Sequence, residues 1–87
     1  MVTRKVRITN PTGLHLRPAG KLCERAVKFQ SRITFQKGTR TANAKSLLSV
    51  LGACIKSGDE VEFICEGEDE QEALEGVIDL IENGLDE

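Results

Sequence analysis

The sequence predicts an α+β fold in which a four-stranded, mainly antiparallel sheet carries helices on one face and meets water on the other. Three short segments alternate apolar and polar residues with a period of two, which is typical of half-buried strands, and a fourth can return beside one of them as a hairpin partner. Two other segments repeat apolar residues with the period of a helix, and a third is a short apolar run between a serine and a glycine. The segments follow one another in the order βαββαβα without an internal repeat or a linker. A chain of 87 residues has room for one small core. We therefore predict a single domain over residues 1–87.

The first strand and the first helix follow from a change of hydrophobic period. Residues 2–9 alternate apolar and polar side chains, which indicates a strand. Residues 10–13, Asn-Pro-Thr-Gly, all favour turns. Beyond them, apolar residues at helical spacing predict a helix over roughly 16–28, and its expected buried stripe is Ala19, Leu22, Cys23, Ala26 and Val27.

A hairpin and a short helix are predicted next. Residues 32–36 alternate up to a Lys-Gly turn, and residues 39–43 can return as the partner strand. Ser46 then precedes residues 47–52, an apolar run that ends in glycine. A serine before such a run is typical of an N-cap and a glycine after it of a helix end, so this segment predicts the second helix.

The last third of the chain predicts a strand and the longest helix. Residues 60–66 alternate apolar side chains with glutamates, which gives the fourth strand one wet, acidic face. A helix is predicted over about 69–83, because its apolar residues recur at helical spacing and its first residues are acidic, as suits the positive end of a helix dipole. Its expected buried stripe is Leu74, Val77, Ile78 and Ile81.

Charge is divided unevenly along the chain. The net charge is −2, from 12 bases and 14 acids. Residues 1–57 hold all twelve bases and one acid, a net +11, whereas residues 58–87 hold thirteen acids and no base, a net −13. Two explanations stay open: the halves cancel in the folded domain, or part of the positive half remains open to an acidic partner or to phosphate.

Composition also argues against several classes of protein. No run approaches the roughly 20 apolar residues of a membrane span, and the N-terminus has no apolar signal core, so we expect a cytoplasmic protein without membrane insertion. The cysteines Cys23, Cys54 and Cys65 are odd in number, widely spaced and set among apolar neighbours. They are predicted to be reduced core residues rather than disulfides or zinc ligands. We expect no metal and no cofactor.

A small nucleic-acid-binding module is an alternative suggested by the +11 half. Single-strand and RNA platforms stack bases on exposed aromatic side chains. This chain has three Phe and no Trp or Tyr, and Phe35 and Phe63 alternate with polar residues as core residues do. The sequence therefore disfavours nucleic acid as a direct partner.

The single histidine lies where a loop is predicted to enter the first helix. Pro18 marks the first helical turn, because a proline there gives up an amide hydrogen that no helical carbonyl would accept. His15 is thus expected at or beside the N-cap, where free amides, the helix dipole and the Arg17 guanidinium converge on an anion. The pattern predicts a phosphate or carboxylate site. A capping or surface histidine without a further role is the alternative.

Four cations extend from this point along the predicted helix. They recur at steps of three or four residues and form what we call the basic stripe: Arg17, Lys21, Arg25 and Lys28. An acidic partner could dock along this stripe, with Lys21 as a docking residue. A solvated helix face would show the same spacing.

Two motifs resemble the signatures of the HPr family, the histidine-containing phosphocarriers of the bacterial phosphoenolpyruvate:sugar phosphotransferase system. They are Gly13-Leu14-His15-x-Arg17-Pro18-Ala19 and Asn43-Ala44-Lys45-Ser46-Leu47-Leu48-Ser49-Val50-Leu51-Gly52. The resemblance covers essentially the whole chain. It implies an open-faced β-sandwich and a monomeric phosphoryl carrier rather than an independent enzyme. It further implies that His15 accepts a phosphoryl group from phosphorylated Enzyme I, with Arg17 stabilising the phosphate, and donates it to the A components of sugar-specific enzymes II.

The resemblance also implies a role for Ser46. In some lineages the matching serine is phosphorylated by an ATP-dependent HPr kinase/phosphorylase, and the product is a corepressor for a catabolite-control transcription factor. The apolar residues after that serine form a docking patch, here Leu47, Leu48 and Leu51. A plain N-cap remains the alternative for Ser46. A paralogue of the nitrogen-related phosphotransferase branch would share the histidine motif, so it remains an alternative for the whole chain.

Overall fold

The computed structural model describes residues 1–85 and has the predicted order of elements. They are β1 (Val2–Arg7), α1 (Leu16–Ala26), β2 (Arg32–Lys37), β3 (Arg40–Asn43), α2 (Leu47–Gly52), β4 (Glu60–Glu66) and α3 (Glu70–Asn83). The first strand is shorter than predicted because its pairing with β4 is broken after Arg7: the Ile8 amide still donates to the Asp59 carbonyl, but the Ile8 carbonyl accepts the Gly58 amide and the Asp59 amide donates to Lys56 in the turn before β4. Within the described residues, no helix is long and apolar enough to cross a membrane.

The four strands form one antiparallel sheet in the order β1-β4-β2-β3, which confirms the predicted architecture. The acidic strand β4 is central, between the basic strands β1 and β2. Residues of opposite charge therefore stand opposite one another in the register, at Lys5 and Glu62, Arg7 and Glu60, and Arg32 and Glu66. Such cross-strand pairs are favourable, so part of the charge asymmetry is balanced on the open face of the sheet.

The core lies between the other face of the sheet and the helices. Phe35 of β2 and Phe63 of β4 are fully buried, and their ring centroids lie 5.2 Å apart at an interplanar angle of 43°. The whole predicted stripe of α3 is buried, which confirms that helix. The smallest helix, α2, packs against α1 and β3.

The predicted stripe of the first helix is only partly correct. Ala19, Leu22 and Ala26 are buried and Cys23 is half-buried, but Val27 is 58% exposed. The helix ends at Ala26, two residues before the predicted end, and Val27 is its C-cap. A residue beyond the last helical turn no longer follows the helical period, so the helical spacing predicted one buried residue too many.

The three cysteines are free thiols, but they are not all core residues. Cys65 is fully buried, and burial is the main reason that its pKa rises to about 11. Burial also raises the pKa of the half-buried Cys23. The prediction is wrong for Cys54, which is exposed. It follows the C-cap of α2 with a φ of +55°, a left-handed conformation that turns the chain out of the helix.

Three carboxylates fasten loops to the sheet and to α3. The Ser31 hydroxyl and two main-chain amides of the loop before β2 hydrogen-bond the Asp69 carboxylate and lower its pKa. A main-chain amide at 3.1 Å and the N-terminal ammonium group at 3.0 Å do the same for the pKa of Glu70. Lys37, at 2.7 Å, is the main cause of the lowered pKa of Asp59. All three carboxylates are thus stabilised in their ionised form.

Candidate functional site

The chain approaches α1 through a turn that is held on both sides. The Ile8 amide donates to the Asp59 carbonyl at 2.8 Å before the turn. Residues 10–13 then reverse direction, and the Leu14 amide donates to the Ile55 carbonyl at 3.0 Å. Leu14 is buried. The histidine that follows is therefore presented from a fixed main chain.

His15 is the N-cap of α1, as the sequence predicts. Its backbone is extended, with φ −82° and ψ −168°, and its carbonyl accepts the Ala19 amide at 2.8 Å. The imidazole makes no capping hydrogen bond and the residue is exposed. Because the ring is not used as a cap, it is accessible to a reactant, and the first-turn amides can meet an anion beside it.

A half-open cavity of about 600 Å³ lies beside this helix start. Its lining is mainly apolar, with a few polar side chains besides the histidine. The lining residues are Asn10, Pro11, Thr12, His15, Leu16, Arg17, Pro18 and Leu85. The structure thus brings together His15, Arg17 and Pro18, the three residues that the sequence pattern placed in one site.

The start of α1 favours negative charge. Arg17 is exposed in the first turn, and that turn contains no acidic residue. The positive end of the helix dipole adds to the field of the guanidinium. Within residues 1–85, no group of three or more His, Cys, Asp or Glu side chains could hold a metal ion. The chemistry supported here is anion binding next to an accessible imidazole.

The basic stripe is less open than its spacing suggests. Lys21 is half-buried and its Nζ donates to the Gly84 carbonyl at 3.4 Å, while Nη1 of Arg25 donates to the Gly76 carbonyl at 2.9 Å. Both side chains therefore help to attach α1 to α3. Lys28 is exposed but lies beyond the end of α1. Arg17, in the first turn of α1, is exposed.

Ser46 is the N-cap of α2. Its Oγ accepts the Ser49 amide at 3.2 Å, and the Oγ of Ser49 in turn accepts the Asn43 amide at 2.9 Å. Ser46 is half-buried. The capping role that the sequence left open is therefore present, and any regulatory role would be additional to it.

The leucines of the expected docking patch differ in exposure. Leu48 is 82% exposed and Leu47 is 39% exposed, whereas Leu51 is half-buried and packs against the core. Because α2 packs against α1, the exposed leucines belong to the helix next to the one that His15 caps. Leu16 adds another exposed apolar side chain, 60% accessible, beside the histidine itself.

Five residues of the cavity were not predicted as site residues: Asn10, Pro11, Thr12, Leu16 and Leu85. Asn10 was assigned only to a turn, although a polar residue that directly precedes the histidine loop was a possible signal. Leu85 is buried and lies 70 positions after His15, at the other end of the described chain. No local pattern could have placed it there, because its contribution depends on how α3 packs against α1.

Comparison with known proteins agrees with this arrangement. Residues 2–83 match a family described as "PTS HPr component phosphorylation site". The chain is 40% identical over 82 residues to the HPr-like protein Crh of Halalkalibacterium halodurans, covering 94% of this chain and 98% of that one. It is 37% identical over 87 residues to the phosphocarrier protein HPr of Treponema pallidum, covering 100% and 99%. The crystal structure of HPr-C-His from Thermoanaerobacter tengcongensis superimposes with a TM-score of 0.94 at 38% identity, covering 98% and 96%.

Proposed function

The chain belongs to the HPr family of phosphotransferase-system phosphocarriers, and on this premise we propose that His15 accepts a phosphoryl group from phosphorylated Enzyme I and donates it to the A components of sugar-specific enzymes II. The observation that carries the proposal is the accessible imidazole of His15 at the N-cap of α1, beside Arg17 and with no acid in the first turn. The protein is a carrier in this scheme, and its partners supply the rest of each reaction.

The proposed transfer needs little covalent chemistry from the carrier. A ring nitrogen of His15 attacks phosphorus, a nitrogen–phosphorus bond forms, and the bond between phosphorus and the donor breaks. The transition state spreads negative charge over three oxygens, so positive groups beside the nucleophile are the main requirement. Arg17 and the amides of the first turn of α1 would meet those oxygens.

The same geometry suits a carrier that must release its cargo. Contacts of an anion with a helix start are worth about 0.3–2 kcal/mol each. Stabilisation of that size orients the phosphoryl group but leaves phosphohistidine reactive enough to pass it on. Imidazole is also a competent nucleophile near neutral pH without a dedicated base.

The experiment that tests the carrier role combines phosphoenolpyruvate, Enzyme I and this protein. Wild type should gain one acid-labile phosphoryl group, measured by intact mass, and His15→Ala should gain none, because the nucleophile is gone. His15→Ala should still melt cooperatively, since the ring makes no capping bond. Acid-labile phosphate on His15→Ala at the wild-type level would contradict the assignment.

Arg17 is proposed to stabilise the transferred group, and Lys28 provides a matched control. Arg17 lies in the first turn of α1 and Lys28 lies beyond its last turn, about 16 Å farther along the helix direction. Arg17→Glu should therefore slow transfer from Enzyme I more than Lys28→Glu does, although both change the net charge equally. Equal rates for the two variants would point to diffuse charge steering instead.

We further propose that Ser46 is a regulatory phosphorylation site. In some hosts an HPr kinase/phosphorylase would phosphorylate it, and a catabolite-control transcription factor would bind the product. A phosphate there adds about −1.5 to −2 charge beside exposed Leu47 and Leu48. A partner that docks an acidic, partly apolar face on α1 and α2 would then meet repulsion. The fold should tolerate the charge, because it stands at the N-terminal end of α2.

Two measurements on Ser46→Asp and Ser46→Ala distinguish a regulatory role from a capping role. They are the calorimetric affinity for Enzyme I and the thermal melt. Ser46→Ala should lose about 1 kcal/mol of stability with its cap but bind Enzyme I normally. Ser46→Asp should keep stability and bind Enzyme I more weakly. If Ser46→Asp binds as tightly as wild type, Ser46 is a cap and the regulatory proposal is wrong.

A regulatory paralogue is the second candidate. The chain is as similar to Crh proteins as to HPr proteins, with 41% identity to that of Bacillus subtilis, which is named a catabolite repression HPr. The histidine-labelling experiment separates the two candidates. A protein with only a regulatory role would be a substrate of the serine kinase but would not gain an acid-labile phosphoryl group from Enzyme I.

A further inference from the structure

The turn before His15 is braced by a buried polar side chain, that of Asn10. Asn10 is 5% exposed and is one of two buried polar residues within residues 1–85, the other being Ser31. Its Nδ2 donates to the Gly13 carbonyl at 2.6 Å, and the Gly13 amide donates back to the Asn10 carbonyl at 3.0 Å. The turn is therefore closed by both a side-chain and a main-chain hydrogen bond.

The braced turn is pressed against the segment that follows α2. A Cβ on Gly13 would lie only 2.5 Å from the Ile55 carbonyl oxygen and 2.8 Å from the Lys56 Cα, so the two main chains are in direct contact. The Leu14 amide donates to the same Ile55 carbonyl at 3.0 Å. The residue after Leu14 is the N-cap of α1. Movement of the Gly13 carbonyl would thus be transmitted directly to the histidine main chain.

The two polar atoms of the Asn10 carboxamide differ in their hydrogen bonding. Oδ1 is buried and has no hydrogen-bond partner among residues 1–85. The hydrogen bonds of this carboxamide are made by Nδ2, to the Gly13 carbonyl at 2.6 Å and to the Thr12 Oγ1 at 3.5 Å. That donor faces the Gly13 carbonyl. Asn10 also lines the cavity that contains His15 and Arg17.

We propose that Asn10 is a positioning residue for phosphoryl transfer, acting through Gly13 and Leu14 on the main chain of His15. The inference rests on the proposed carrier function. In-line transfer requires the reacting atoms at about 3–3.5 Å, and a misplacement of about 1 Å can slow a reaction about 100-fold. A side chain that fixes the residue before the nucleophile therefore affects the transfer rate without touching the phosphoryl group.

Two variants of Asn10 and one control test this role. Asn10→Asp has the same shape but presents an acceptor to the Gly13 carbonyl, and Asn10→Ala removes the brace. Ser31→Ala is the control, because Ser31 is equally buried and hydrogen-bonds Asp69, yet it lies beyond the opposite end of α1 from His15. All three variants should lower stability.

Single-turnover transfer from phosphorylated Enzyme I, measured over a range of Enzyme I concentrations, provides the first readout. Both Asn10 variants should lower the maximal rate by about 10-fold to 100-fold, with the half-saturating concentration changed less than about twofold. Ser31→Ala should keep the wild-type maximal rate. If the Asn10 variants transfer as fast as Ser31→Ala, Asn10 has a structural role only and the proposal is overturned.

Amide hydrogen exchange of Leu14 in the unphosphorylated protein provides a readout that does not depend on Enzyme I. The exchange rate of the Leu14 amide is divided by that of a core amide of β4. This ratio should rise about 10-fold in Asn10→Ala and stay at the wild-type value in Ser31→Ala. Unchanged Leu14 exchange in Asn10→Ala would also overturn the proposal. A wild-type protein that accepts no phosphoryl group from Enzyme I would refute the carrier function instead, and the exchange result alone would then decide whether Asn10 fixes the main chain before His15.

Discussion

Replacing Gly13 with alanine should weaken the fold more than the same replacement at Gly38. The two glycines have nearly the same left-handed backbone, with φ of +65° and +59°. In that region a Cβ costs about 1–2 kcal/mol, because it approaches the following carbonyl oxygen. This local penalty should be similar at both positions. The difference between the variants therefore measures what surrounds each glycine.

The surroundings are very different. At Gly13 an added Cβ would lie 2.5 Å from the Ile55 carbonyl oxygen and 2.8 Å from the Lys56 Cα, whereas at Gly38 nothing lies within 4 Å. Main-chain atoms cannot rotate away as a flexible side chain can. The two segments must separate, which removes the 3.0 Å bond between Leu14 and Ile55, worth about 0.5–1.5 kcal/mol. We expect a loss of about 1.5–3.5 kcal/mol for Gly13→Ala and about 1–2 kcal/mol for Gly38→Ala.

Urea denaturation of wild type and both variants measures the difference. For slopes of about 1–3 kcal/mol/M, Gly38→Ala should lower the midpoint by about 0.3–2 M, and Gly13→Ala by up to about twice as much. The slopes should not change, because the surface exposed on unfolding is the same. If the two variants lose equal stability at equal slope, the close contact with residues 55–56 is not resisting the added methyl group, and the reasoning is refuted.

Further predictions concern other parts of the chain. Cys54→Gly should raise the free energy of unfolding by about 1 kcal/mol in a urea titration, because an exposed side chain with φ +55° is replaced by a residue that adopts this conformation freely; a loss would show that the thiol makes a stabilising contact. Gly20→Ala should add up to about 1 kcal/mol, since it lies inside α1 with nothing within 4 Å of an added Cβ, and a lower melting temperature would contradict this. Stability should fall as the pH drops from about 5 towards 3, because the folded state lowers the pKa of Asp59, Asp69 and Glu70. Their contribution to stability is present above their unfolded pKa values and is lost as the carboxylates are protonated. Asp69→Asn should flatten that fall, and an identical pH profile for the variant would exclude a role for its carboxylate.

The sequence alone determined the order and type of every element. A strand with one buried face must alternate, as residues 60–66 do, and a helix with one buried face must repeat at its own period, as the stripe of α3 does. The position of His15 was also predictable, because the residues that specify it are its neighbours in the chain. The turn residues before it and Pro18 after it are adjacent in the chain, so the N-cap is specified locally.

Only the tertiary structure decided which residues share the site and which remain exposed. Val27 continued the helical period, but α1 ended before it, and Cys54 had apolar neighbours in sequence yet turned to solvent at a left-handed position. Leu85 reached the cavity of His15 from the other end of the described chain. Periodicity and capping are properties of neighbouring residues along the chain. Exposure and the lining of a cavity depend on where distant elements stop and pack, and a local pattern contains no information about those distances.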